Sequence, residues 1–113
     1  MRVYTYPALV NGNMAVPLTS NTFEMLSYWG AAASCIVTSG TTPTGTLTMN
    51  GSVDNINFTP LKKSDNTNLT LPVSGDGTYI FDITQTSVKY LQVTYTPVSG
   101  GGTLNITVYP KGY

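Results

Sequence analysis

Polar and apolar residues alternate along two stretches near the C-terminus. In KYLQVTYTP, Leu91, Val93 and Tyr95 share one face of an extended chain; in TLNITVYP, Leu104, Ile106 and Val108 do the same while Thr103, Asn105 and Thr107 face the other way. A period of two over this length predicts half-buried strands. Leu47 and Met49 in GTLTM read as the same kind of inward position, so Leu47, Met49, Leu91, Val93, Leu104, Ile106 and Val108 are the predicted core. Strands are read near residues 2–6, 22–28, 32–38, 45–50, 56–61, 78–83, 88–96 and 103–109, with a short one at 68–71. The one stretch with helical potential, NTFEMLSYWGAAA, opens on the caps Asn21 or Thr22, but its Tyr28-Trp29-Gly30 ending and its surroundings favour a strand. Thr, Val, Tyr and Ile abound, and Gly, Pro, Asn and Ser punctuate the chain every eight to twelve residues, the pattern of an all-β sandwich or barrel.

The segment VSGGG is flexible enough to close the last two strands into an antiparallel hairpin. CIVTSGTTPTGTLTM repeats the layout of VTYTPVSGGGTLNI: a strand, a Thr/Pro/Gly loop, then Gly-Thr-Leu opening a return strand. Two similar hairpins, 32–49 and 90–108, are therefore expected, in a sandwich with pseudo-symmetric halves. Duplication and convergent loop chemistry explain the echo equally well. Upstream, PALVNGNMAVPLTS at 7–20 reads as irregular, because Pro7 and Pro17 fix φ and remove two donors. Residues 1–20 are thus expected to form an extended N-terminal arm and residues 21–113 a single β-sandwich domain. Val3, Tyr4, Tyr6, Leu9 and Val16 give the arm apolar area for crossing a sheet edge or reaching a neighbouring subunit.

Composition narrows the partners. The 113 residues fit one domain, and a chain of this size hides about 65% of its unfolded surface. Five basic and five acidic residues leave no net charge, which favours association. Arg2, Lys62, Lys63, Lys89 and Lys111 are scattered, so nucleic acid is not an expected partner. No apolar run approaches the roughly 18 residues of a membrane span, and MRVYTYPALV has no sustained apolar run before Pro7, so neither membrane nor signal peptide is expected. The sequons at Asn50, Asn57, Asn68 and Asn105 are what an Asn- and Thr-rich β-protein generates by chance. The single Cys35 excludes an internal disulfide framework and reads as a buried small hydrophobe.

Candidate chemistry is sparse. Without histidine there is no His-dependent triad, and Glu24, Asp54, Asp65, Asp76 and Asp82 show no pairing suited to general acid and base. No enzymatic activity and no cofactor is expected, and zinc lacks ligands. Asp54, Asn55, Asp65 and Asn66 are hard oxygen donors in two loops, but both loops read as Asx-type turns, and no metal site is assigned. Within GTLTMNGSVDNINFTPL, Ser52 and Asp54 are expected to bond turn amides so that Phe58 and Leu61 re-enter the core. Glycan binding needs exposed aromatic faces; adjacent Tyr28 and Trp29 point to opposite sides of a strand, so one of them is available for a contact surface.

Two resemblances extend this reading. Ser52-x-Asp54-x-x-x-Phe58 followed by Leu61 resembles the S-x-D-G-x-x-F/W-x-x-L hairpin of discoidin-like (galactose-binding) jelly rolls, and Lys89 to Val93, KYLQV, resembles their later Arg-Tyr-Leu-Arg-Val strand. Asn55 stands where that family has the turn glycine, a substitution that suits the left-handed tolerance of asparagine, and the family's cysteine pair is absent. The whole chain also resembles small virion proteins of tailed bacteriophages, through segments at 6–12, 21–26, 52–58, 79–84, 89–96 and 102–108 in that order. The resemblances imply an antiparallel β-sandwich of jelly-roll type with about eight strands. The second implies a capsid decoration (cement) protein that stabilises the head. Such a protein is made in the host cytoplasm and resides in the virion as a homo-oligomer, against the major capsid protein or another virion protein, with Val3, Tyr4, Tyr6, Leu9 and Val16 as capsid or subunit contacts. The first implies, as the alternative, a carbohydrate-binding module such as a phage adhesin component, with Tyr28 and Trp29 as glycan contacts.

Overall fold

Residues 6–25, 30–38, 41–62, 67–83 and 88–111 are described by a computed structural model. They form ten strands and no helix: β1 Tyr6–Asn13, β2 Leu18–Thr19, β3 Phe23–Glu24, β4 Gly30–Thr38, β5 Thr44–Ser52, β6 Thr59–Pro60, β7 Thr70–Ser74, β8 Gly77–Ile83, β9 Tyr90–Ser99 and β10 Thr103–Lys111. One antiparallel sheet has the order β1-β10-β4-β8. The other has β2-β9-β5-β6, with β3 also on β9 and β7 also on β5. The residues that alternate in the sequence meet between the sheets: Leu47, Met49, Leu91, Val93, Tyr95, Leu104, Ile106 and Val108 are all at most 3% exposed.

Both outer strands of the second sheet are broken. Thr19 pairs with Thr94 and Phe23 with Leu91, and Ser20 bridges the interruption by donating its N–H to Val93 C=O (2.9 Å) and accepting Val93 N–H at Oγ (2.9 Å). Likewise Leu61 N–H donates to Met49 C=O and Met49 N–H to Leu69 C=O, so β6 and β7 continue one another along β5, and Lys62 bridges to Asn68 between them. Counting β2 with β3 and β6 with β7 as single positions leaves eight. Their order is first-eighth-third-sixth in one sheet and second-seventh-fourth-fifth in the other, the arrangement of a jelly roll.

The two expected hairpins are instead arches between sheets. β4 lies in the first sheet and β5 in the second, while β9 lies in the second and β10 in the first. The strands pair with each other's arch: Val37 with Leu104 and Cys35 with Ile106 on one side, Tyr95 with Leu47 and Val93 with Met49 on the other. Exchanging β4 with β9 and β5 with β10 maps one set of pairs onto the other, so the halves are pseudo-symmetric, as the repeated layout predicts. Alternation puts the same residues inward in a hairpin or an arch, and so the pattern alone could not separate them. The loops lock the arches together. Thr41 N–H donates to Gly101 C=O (2.9 Å), Gly101 N–H to Thr41 Oγ1 (3.1 Å), and the Thr44 and Ser99 hydroxyls lie 2.6 Å apart. Gly100 has φ +74°, and a Cβ there would stand 2.6 Å from Thr42 O, so the crossing requires glycine.

The arm expected over residues 1–20 is, where described, part of the sandwich. β1 extends the first sheet through Tyr6–Val108 and Gly12–Leu104 pairs, with two register shifts between, and Asn11 takes φ 53° at the second. Ala8 (1% exposed) and Met14 (0%) are core residues. Pro7, read as a breaker, sits on an edge strand, where a missing donor is tolerated. The register shifts explain why this strand lacks a clean alternation. The strand read at 56–61 shortens to Thr59–Pro60, because residues 53–58 form the loop described next.

Candidate functional site

The loop after β5 is built by two side chains. Ser52 Oγ accepts the N–H groups of Asp54 (3.2 Å) and Asn55 (3.0 Å) and donates to Asp54 Oδ1 (2.8 Å). That oxygen also accepts the N–H groups of Ile56 and Asn57, both at 2.9 Å, while Oδ2 accepts from Asn57 Nδ2 at 2.8 Å. Asn55 takes φ 61°, the left-handed conformation that glycine or asparagine accepts. The backbone and side-chain donors hold the Asp54 carboxyl well below the usual carboxylate range, led by the N–H of Asn57 and then that of Ile56. The carboxylate is thus engaged within its own loop, as the sequence predicts; of the two residues expected to re-enter the core beyond it, Leu61 packs against the core, whereas Phe58 is half-buried and lies outside it. The loop presents Val53 and Ile56 to solvent, 64% and 80% exposed. Asp65 and Asn66, the other hard donors, lie outside the described residues.

The outer face of the first sheet contains almost no charge. Three rows cross β8, β4 and β10: Thr78–Ile36–Asn105, Ile80–Ser34–Thr107 and Asp82–Ala32–Tyr109. Asp82 is the one ionisable carboxylate among them, and Ile36, Ile80 and Tyr109 are exposed apolar side chains. This face offers hydroxyl, amide and aliphatic groups on a rigid platform, which suits a protein contact made by packing and neutral hydrogen bonds. Ile36 and Ile80 did not stand out in the sequence because apolar residues stand on both phases of 32–38 and 78–83, so alternation marks no outer face there.

Of the residues singled out for contact, Tyr6, Leu9 and Val16 are described. Tyr6 is half-buried, its ring 5.4 Å from that of Phe23 and its hydroxyl donating to Thr22 C=O (3.1 Å). Leu9 packs against the core, and Val16 is exposed. Val3, Tyr4, Tyr28 and Trp29 lie outside the described residues. Cys35 is fully buried, and desolvation pushes its thiol up to about 12. Among the described residues, no group of three or more His, Cys, Asp and Glu is placed to hold a metal ion.

No protein-family model matches the chain, and no curated protein matches it. A solved structure does share its fold: the SPBc2 prophage-derived protein YomS superposes with a TM-score of 0.63 over 96% of this chain and 93% of that one, at 14% sequence identity. At that identity the likeness is one of fold, and it extends over nearly the full length of both chains.

Proposed function

We propose that this protein is a non-enzymatic structural component of a bacteriophage particle, a capsid decoration (cement) protein bound to the major capsid protein or another virion protein. The observation that carries the reading is the jelly roll it shares, nearly end to end, with a prophage-derived protein. The order of segments resembling small tailed-phage virion proteins supports the same origin. The sparsely charged outer sheet face supports an assembly role, since contacts made there respond little to salt. A decoration protein acts by mass action, binding the assembled lattice in preference to free subunits.

The test has two parts. Mass spectrometry of purified particles of the producing phage should find this chain in stoichiometric amounts with the head proteins. Purified protein should then co-sediment with expanded capsids lacking it, equally at low and high salt. Absence from the particle overturns the virion assignment. Presence in the particle without capsid binding, together with retention on a glycan array, would move the protein to the adhesin class instead.

A further inference from the structure

Four edges bound the two sheets, and three of them are blunted. β1 bears Pro7 and two register shifts. β2 and β3 are two-residue strands interrupted at Ser20 and Asn21. β6 and β7 include Pro60 and Pro72, and β6 is only two residues long. β8 has none of these devices. It reads GTYIFDI, without proline or lysine, and its register against β4 runs unbroken from Ala31–Ile83 to Val37–Gly77. Among the described residues, no strand pairs with its other side.

We propose that β8 is the docking edge for a second copy of this chain, pairing antiparallel about Ile80 and joining two four-stranded sheets into one of eight. The strand is self-complementary in that register. Ile80, 60% exposed, meets its own copy on the outer face, with Ser34 of β4 directly beside it and Ile36 one row away, opposite Thr78. Thr78 falls opposite Asp82, so no like charges face each other, and Tyr79 falls opposite Phe81 on the inner face. Moving the centre to Tyr79 would set Asp76 against Asp82, and moving it to Asp82 would set that carboxylate against itself, so charge selects among the registers. Zero net charge removes the long-range repulsion that keeps many small domains apart. A seven-residue edge lies at the small end of specific interfaces, so the dimer should form with rising concentration. The inference goes beyond the virion reading and does not depend on it, since it concerns the isolated chain.

Sedimentation equilibrium over a wide concentration range tests it. The parent should show a monomer–dimer equilibrium, and Ile80→Lys should raise its dissociation constant at least about tenfold, because it sets two like charges directly opposite each other on the axis. Ile36→Lys, one strand inward on the same face, should shift it far less. Thermal melts of the dilute variants confirm that each remains folded. Mild oxidation of Ile80→Cys should link the dimer across its axis, while the buried Cys35 stays out of the reaction. A parent that remains monomeric throughout overturns the proposal, as does a dimer indifferent to Ile80→Lys. Equal disruption by Ile36→Lys would also overturn it, because that result means packing face to face.

Discussion

At Asp54 the carboxylate collects four donors, three of them on Oδ1, and all come from its own loop or from Ser52 at the loop's foot. Its job is to hold residues 53–58 in one shape. A carboxyl lowered in this way contributes in full above its ordinary pKa of 3.8, and the contribution is lost only as the pH falls through the lower folded value. The amide resonances of Ile56 and Asn57 should therefore keep their positions down to about pH 3, through the range where an ordinary carboxylate takes up its proton. Movement of these amides with a midpoint near 3.8 would mean that Asp54 is unbonded in solution. In Asp54→Ala the same amides should shift at every pH, with the core resonances unchanged. This residue-scale geometry was legible beforehand, because Ser-x-Asp followed by a left-handed asparagine is a local code whose donors and acceptors lie within five positions.

The two arches are the unit at the scale of elements. Leu47 and Leu104 occupy corresponding places, each opening the return strand of its arch and each 0% exposed. Leu47 pairs with Tyr95, and Leu104 with Val37. Truncation of either leaves a cavity in the same closed layer, so Leu47→Ala and Leu104→Ala should each cost about 2–5 kcal/mol. Their urea midpoints should fall by similar amounts. A large loss from one and none from the other would contradict the pseudo-symmetric placement. The arches also mark where sequence reading stopped. The Gly-Thr-Leu echo revealed that two segments are alike, but whether a Thr/Pro/Gly loop turns within a sheet or crosses between sheets is decided by what it packs against. Here Thr41 finds Gly101, and Gly100 sits against the Thr42 carbonyl, contacts between segments far apart in the chain.

In the whole molecule, strand phase was readable and connectivity was not. Every core residue expected from alternation is buried, because facing inward is a local property of a pleated strand. The first strand was missed because Pro7 and the shifts around Leu9 and Asn11 hide its period, while its partners, and the Gly102 carbonyl that accepts from Met14 just beyond it, lie near the other end of the chain. That same long-range closure governs how the protein should fold. Apart from the turn joining β5 to β6, each successive strand position lies in the opposite sheet, so no early pair of neighbours can form a stable half. The central ladders join Cys35 to Ile106 and Leu47 to Tyr95, and both must close before either sheet buries its face. Non-local pairing of this kind places folding in the range of about milliseconds to seconds. It also makes unfolding all-or-none, since removing one sheet exposes the inner face of the other. Equilibrium denaturation followed by far-ultraviolet circular dichroism and by tyrosine fluorescence should therefore give coincident transitions, and stopped-flow refolding should show a slow main phase. Separate transitions, or refolding within microseconds, would mean that part of the sandwich stands alone, against the interlocked arches.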